Sequence, residues 1–405
     1  MLSAVSGIDA NTVWLNVIGN NLANANTVGF KSSSTDFETQ LYDVYQAGAK
    51  PINGFMGRNP QAVGLGTKVE DTNQDFSQGT LIQTGVSTDM AINGQGFFVV
   101  QNANGQQYLT RAGNFTLSPT ANDLVTQDGY ELMGWQASNG TINTAAPPTP
   151  ITIPMGMKII ANPTTSLNFE GNLDSSLPGT TPTSVTVDTY DSLGNDHQLV
   201  FKFTNAGGNT WDWTATDPTG TLTLSGATGT ITFNSSGAYV SSTGGPITFT
   251  PTGANPMSIT PDFSAFTQYS TQTTAYLNSQ DGYPAGALQS FSVDQNGNVT
   301  GNFSNGQTQV LGQVAVGMVA NPQGLVPAGN NNWTFSENSG TVVMTPPNTG
   351  QAGAIVGGAL ENSNTDISTE MTNLIMAERG LQMNTELVTT DNAVLSDLAT
   401  MKQTP

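Results

Sequence analysis

His197 is the only histidine in the chain, so a relay of nucleophile, histidine and acid could be built only around it. No Gly-x-Ser-x-Gly elbow accompanies it, and its position just after a turn at residues 192–195 predicts a surface strand residue. No loop ends in the Gly-Lys pair that cradles phosphates, and Gly64-x-Gly66 and Gly94-x-Gly96 are too short and lack a strand-to-helix setting. Asp294-x-Asn296-Gly297-Asn298 begins like a calcium loop. Its glycine stands fourth rather than sixth, and its twelfth residue is Asn305 rather than Glu, which leaves a hairpin turn. Glu70 and Asp71 are adjacent carboxylates of the kind glycosidases use, but adjacency in sequence does not set their spacing in space. With no cysteine, disulfides and thiolate metal sites are excluded. The expectation is a chain without catalytic, cofactor or metal residues, and not an enzyme.

The 405 residues suffice for two or three domains with real cores. Only 9% are charged, and 29 acidic against 9 basic side chains give a net charge of -20. Such a chain repels phosphate backbones and anionic lipid, so neither nucleic acid nor a membrane surface is an expected partner. No apolar run reaches the roughly 18 to 20 residues of a membrane span. No Lys or Arg precedes Lys31, which argues against a cleavable secretory signal with a basic start.

If chemistry is absent, the organising residues are those at the two ends. Met1, Ile8, Leu15 and Leu22 fall seven apart, with Ala4, Ile18 and Ala25 three later, the pattern of a packed helix seam. The partner seam is read at the other end, where Ile367, Leu374, Leu381, Val388 and Leu395 repeat at seven, with Ala377 and Leu398 at the matching positions. Chain ends are normally the least ordered part of a domain. Placing the clearest heptads there predicts a self-assembly surface, helical once neighbouring copies cover it. The first helix should stop between Asn24 and Gly29, because Asn20, Asn21, Asn24 and Asn26 suit caps and turns better than helix interiors. Thr365 or Asp366 should cap the last helix. Gly380 inside it is a weak point of about 1 kcal/mol relative to Ala.

Between the ends, short strands separated by turn pairs predict β structure. Asn104-Gly105 follows the run Phe97-Phe98-Val99-Val100, and Asp128-Gly129 separates Leu124-Val125 from Leu132-Met133. Residues 32–66 read as a connector, with a short helix around residues 37–45 and a loop at 48–66. The Pro-rich run 145–150 marks a boundary, after which strands are expected at residues 185–187, 198–203, 211–213, 222–224, 231–233 and 247–249, at a spacing that suggests a sandwich or barrel. The first style returns after Gly282-Tyr283-Pro284.

Asn20-Asn21-Leu22-Ala23-Asn24-Ala25-Asn26-Thr27-Val28-Gly29-Phe30-Lys31 resembles the N-terminal signature of the flagellar rod and hook family. Its fixed types fall at Asn20, Asn21, Asn24, Thr27, Gly29, Phe30 and Lys31. Gly94, Gly96-Phe97-Phe98, Tyr108, Thr110-Arg111, Gly113 and Phe115 resemble the family's first β domain. Gly357 to Asn364, then Met371, Leu374, Ile375, Ala377, Arg379, Gln382 and Asn384, are similar to its C-terminal signature. Leu381 departs from it, since many members carry an aromatic there. Shorter members nearly lack the 48–66 loop.

The expected fold is mainly β with terminal helices: nested β domains, sandwich- or barrel-like, plus a coiled-coil-like layer of the two ends. The layout is a terminal assembly domain (1–30 and 364–405), a connector (31–66 and 350–363), a first β domain (67–144 and 276–349) and an inserted second one (145–275). The resemblance implies a structural subunit that polymerises into a curved helical tube and passes torque as a universal joint. The large insert favours the hook branch over the distal rod branch. It also implies an extracellular place, export by the flagellar type III apparatus, and contacts with other copies and with the distal rod, hook cap, hook-length ruler and hook-filament junction proteins. A secreted β-rich adhesin binding carbohydrate through its middle domain remains the alternative of a different class. A β-solenoid hydrolase would need a repeat period that is not found.

Overall fold

The computed structural model of the chain describes residues 2–48, 56–57 and 59–401. Met1 of the N-terminal heptad and most of the tip of the 48–66 loop lie outside them. The fold is mainly β, bracketed by two helices, α1 (Leu2–Ala23) and α2 (Ile367–Met401). The chain divides into two units, one of residues 1–153, 291–300 and 309–405, the other of residues 154–290 and 301–308. Among the described residues, no helix is long and apolar enough to cross a membrane.

In the first unit, Phe97–Gln101 and Gln107–Thr110 form an antiparallel hairpin. The Asn102 carboxamide accepts the Asn104 and Gln106 amides, and Gly105 takes the left-handed φ of 83° that closes the loop. Glu131–Gln136 lies beside Phe97–Gln101 and beside Thr308–Val314, while Asn332–Thr334 extends the other side next to Gln107–Thr110. Phe97, Val99, Leu109, Met133, Leu325 and Trp333 fill the space beneath. The returning chain is sewn onto the outgoing one: Ala354–Gly357 pairs with Met90–Asn93, and Ala359–Glu361 with Leu81–Gln83. Asp294 accepts the Asn296 and Asn298 amides, a hairpin turn as expected.

Two sequence expectations fail. The helix around residues 37–45 is replaced by strands Ser33–Thr39, paired with Thr67–Gln74, and Tyr42–Gln46, paired with Gln61–Gly64. Aromatic and β-branched residues dominate there and prefer extended backbone. No strand forms at residues 222–224. The Asp217 carboxylate instead gathers the amides of Thr219, Thr221 and Leu222 into a turn.

The second unit holds two sheets. Thr183–Tyr190, Asp196–Gly207, Thr210–Thr216, Thr228–Phe233 and Tyr239–Ser242 form a meander, and Ile247–Phe249, Met257–Thr267, Ser166–Asn172 and Tyr276–Gln280 make a mixed sheet. Alternate residues point inward, as in Leu199, Phe201 and Phe203 or Trp211 and Trp213. They meet Phe169, Phe263 and Phe266 in one aromatic core, with Phe169 and Phe201 only 4.7 Å apart.

His197 sits near the start of the second strand of the meander and contacts Asp191 at 3.1 Å. Asp191 also accepts the Leu193 and Asn195 amides and the Asn195 side chain. Burial raises its pKa, but these hydrogen bonds outweigh it and hold the carboxyl at about 2, down from 3.8. The stabilisation is present above the unfolded value near 3.8 and disappears as pH falls through about 2. Asp191→Asn should therefore cost about 2 kcal/mol at neutral pH and little at pH 2, measured as urea midpoints across that window.

Candidate assembly surface

The two helices pair antiparallel. Asn21 donates to the Glu370 carboxylate at 3.0 Å. A Cβ placed on Gly7 would lie 2.6 Å from the Asn384 amide nitrogen, and one on Gly380 would lie 2.9 Å from the Asn11 amide oxygen. These three contacts share one register, which sets residue 14 opposite Ala377, the single buried residue among those described in α2. Glycine, alanine and asparagine thus share the contact line with Trp14. Gly380, a weak point by helix propensity, faces Asn11 of α1 with no room for a side chain.

The aliphatic heptads share this face. Ile18 is buried, whereas Ile8, Leu15, Leu22, Leu374, Leu381 and Val388 are half-buried. Ile367, Leu395 and Leu398 are exposed, at 48%, 55% and 59%. Each helix thus turns one mixed face to the other, with small residues and half-buried aliphatic ones interleaved along it. Ile375, Met376, Met383, Leu387 and Val394 are exposed as well. By the same register Leu2 lies near residue 389, so the last turns of α2 extend beyond α1. Met376, Met383, Leu387, Val394 and Leu398, spaced by seven and four, share one exposed face, and such an apolar face marks an interaction surface.

The Asn-rich motif stops α1 and anchors it. Asn24 bonds back to Asn20, and Thr27 bonds to the Asn24 carbonyl and carboxamide. Asn21 donates to the Ser33 carbonyl and accepts the Ser33 amide, tying the helix to the first strand. Gly29 has a left-handed φ of 69° and donates its amide to the Glu361 carbonyl at 2.8 Å. A Cβ there would lie 2.5 Å from the Ala112 backbone nitrogen. Gly29→Ala should cost about 2 to 3 kcal/mol, combining backbone strain with the clash, and show as a lowered unfolding midpoint of the first unit. Phe30 is buried beside it.

Lys31 ends the motif inside the protein. Its ammonium donates to Glu361 at 2.7 Å and to the Ser77 carbonyl at 2.6 Å. The other Glu361 oxygen accepts Arg111 at 3.1 Å, and the Gly79 amide adds a further bond at 2.9 Å. Arg111 also donates to the Ile92 and Gly94 carbonyls. All three charged side chains are buried, and desolvation lowers the pKa of both Lys31 and Arg111 despite the Glu361 charge beside them. Asn364 completes the joint by accepting the Ser32 amide and donating to the Asp75 carbonyl. Asp366 caps α2 through the Ser368 and Thr369 amides. Sequence reading assigned no role to Glu361, Arg111 or Asn364. The available signal was a lone carboxylate after Gly358-Ala359-Leu360, in a run too apolar for an exposed charge.

Four family models match in chain order. They are the flagella basal body rod protein (residues 1–31), the flagellar hook protein FlgE/F/G D1 domain (91–171), the flagellar basal body protein FlaE D2 domain (158–283) and the flagellar basal body rod FlgEFG protein C-terminal region (356–401). The flagellar hook protein FlgE of Escherichia coli K12 is 35% identical over 98% of this chain and 99% of its own length. Those of Salmonella typhimurium and Treponema pallidum are 36% and 31% identical over 98% and 100% of this chain, each over 99% of its own length. The crystal structure of Helicobacter pylori flagellar hook protein FlgE2 shares the fold, with a TM-score of 0.50 and 17% identity over 70% of this chain and 99% of that one. With such relatives matched from end to end, the chain belongs to the flagellar hook protein FlgE family.

Proposed function

We propose that the chain is the structural subunit of a bacterial flagellar hook, polymerising into a curved helical tube that works as a universal joint between rod and filament. The observation that carries this reading is the exposed apolar face of α2, formed by Met376, Met383, Leu387, Val394 and Leu398. Neighbouring copies are the natural cover. Ile8, Leu15, Ile18, Leu22, Leu374, Leu381, Val388 and Leu395 then serve the assembly layer, formed by residues 1–30 and 364–405. Residues 31–66 and 350–363 connect it to the β domains, assigned as 67–144 with 276–349 and as 145–275.

The subunit needs no catalytic residue or cofactor. It lies outside the cell, reached through the flagellar type III apparatus, and its partners are other copies and the rod, cap, length-ruler and hook-filament junction proteins. Electron microscopy of the purified protein after addition of a precipitating salt should show tubes of uniform diameter. Protein that stays monomeric or forms only amorphous aggregate under all such conditions refutes the reading.

A further inference from the structure

Both connections between the helix pair and the β layer of the first unit pass through one carboxylate. Lys31 stands in the segment leaving α1, Glu361 in the segment entering α2, and Arg111 just after the strand Gln107–Thr110 of the β layer. Around Glu361 converge the Lys31 ammonium, the Arg111 guanidinium and the Gly79 amide, and its own carbonyl accepts the Gly29 amide. Turning the two segments that carry the helices against the β layer lengthens at least one of these bonds.

Charge-assisted bonds are short and directional, so they resist small displacements more sharply than apolar contacts, which slide. A buried ion cluster is a poor way to gain stability, because well-packed apolar residues of similar volume often do as well or better. Its directionality is what apolar packing cannot replace. We infer that Lys31, Arg111 and Glu361 form a locked pivot that transmits twist between the terminal helices and the β layer. The inference rests on the hook reading and names positioning residues for torque transmission.

The test compares wild-type tubes with tubes of the triple variant Lys31→Met, Arg111→Met, Glu361→Met, measuring torsional stiffness from the rotational fluctuations of a bead on a tethered tube. Thermal unfolding of the subunit is measured in parallel. The expected result is a stiffness at least about two-fold lower with an unfolding midpoint close to wild type, since an apolar triad keeps the packing and loses the directional bonds. Unchanged stiffness in the variant tubes overturns the pivot. Glu361→Asp provides a second variant, which keeps the charge but withdraws the carboxylate, and should soften the tube by a smaller factor. Unchanged stiffness there also overturns it.

A measurement on unaltered wild-type tubes covers the case in which neither variant folds. Hydrogen exchange at the Gly29, Ser32 and Gly79 amides should be as slow as in Phe97–Gln101, and exchange at loop rates overturns the pivot. Failure of the wild-type chain to form tubes at all would strike the hook reading instead, so the two failures are told apart.

Discussion

Leu398→Asp is expected to leave the subunit folded and to stop tube formation. Its side chain is 59% exposed, on the part of α2 that extends beyond α1, so the monomer loses almost nothing. Covered by a second copy, the leucine would contribute about 2 kcal/mol, and an aspartate in its place would be buried without a partner at a cost of a few kcal/mol more. A penalty of about 4 kcal/mol raises the concentration needed for assembly roughly a thousand-fold. Sedimentation should find monomer where wild type pellets, with unchanged circular dichroism. Leu374→Asp and Leu15→Asp should block assembly too, but at some cost to the monomer, because both side chains are already half-buried within it. Normal tubes from Leu398→Asp would remove this apolar face from the interface.

Glu361→Ala is the converse case, a large loss of stability from a residue with no exposed surface. It strands the Lys31 ammonium and the Arg111 guanidinium side by side in a buried site and leaves the Gly79 amide without its acceptor. Removing one member of such a cluster costs about 3 to 5 kcal/mol. Lys31→Met should cost less, since Glu361 keeps Arg111 and the Gly79 amide. Equilibrium unfolding followed by tryptophan fluorescence should rank them in that order, and equal losses would mean that burial rather than charge pairing sets the effect.

These two expectations mark what could be read in the residues alone. The helices were legible because heptad spacing is a local property, and the turns at Asn104-Gly105, Asp128-Gly129 and Asp294 to Asn298 because left-handed φ values and side-chain caps are local too. The helix contact line was legible only in its apolar members. Counting apolar residues finds the leucine rows, which lie half-buried on the facing sides, but not Gly7, Asn11, Gly380 and Asn384 interleaved with them. The Lys31, Arg111 and Glu361 cluster was also hidden, since it joins positions whose nearness is created by the sheet pairings around them. The strands at 33–39 and 42–46 were misread because a short amphipathic run fits either period.

Among the described residues of the helix pair, only Ala4, Ala10, Ile18 and Ala377 are buried apolar side chains, so the lone subunit withdraws little of the pair's apolar surface fully from water. One helix with its side chains is about 10 to 12 Å across, and a pair is about twice that. A conduit of single-helix calibre would reject the pair but admit each end in turn. Bulkier residues at Gly7 or Gly380, which face Asn384 and Asn11, would hold the helices apart and widen the pair further.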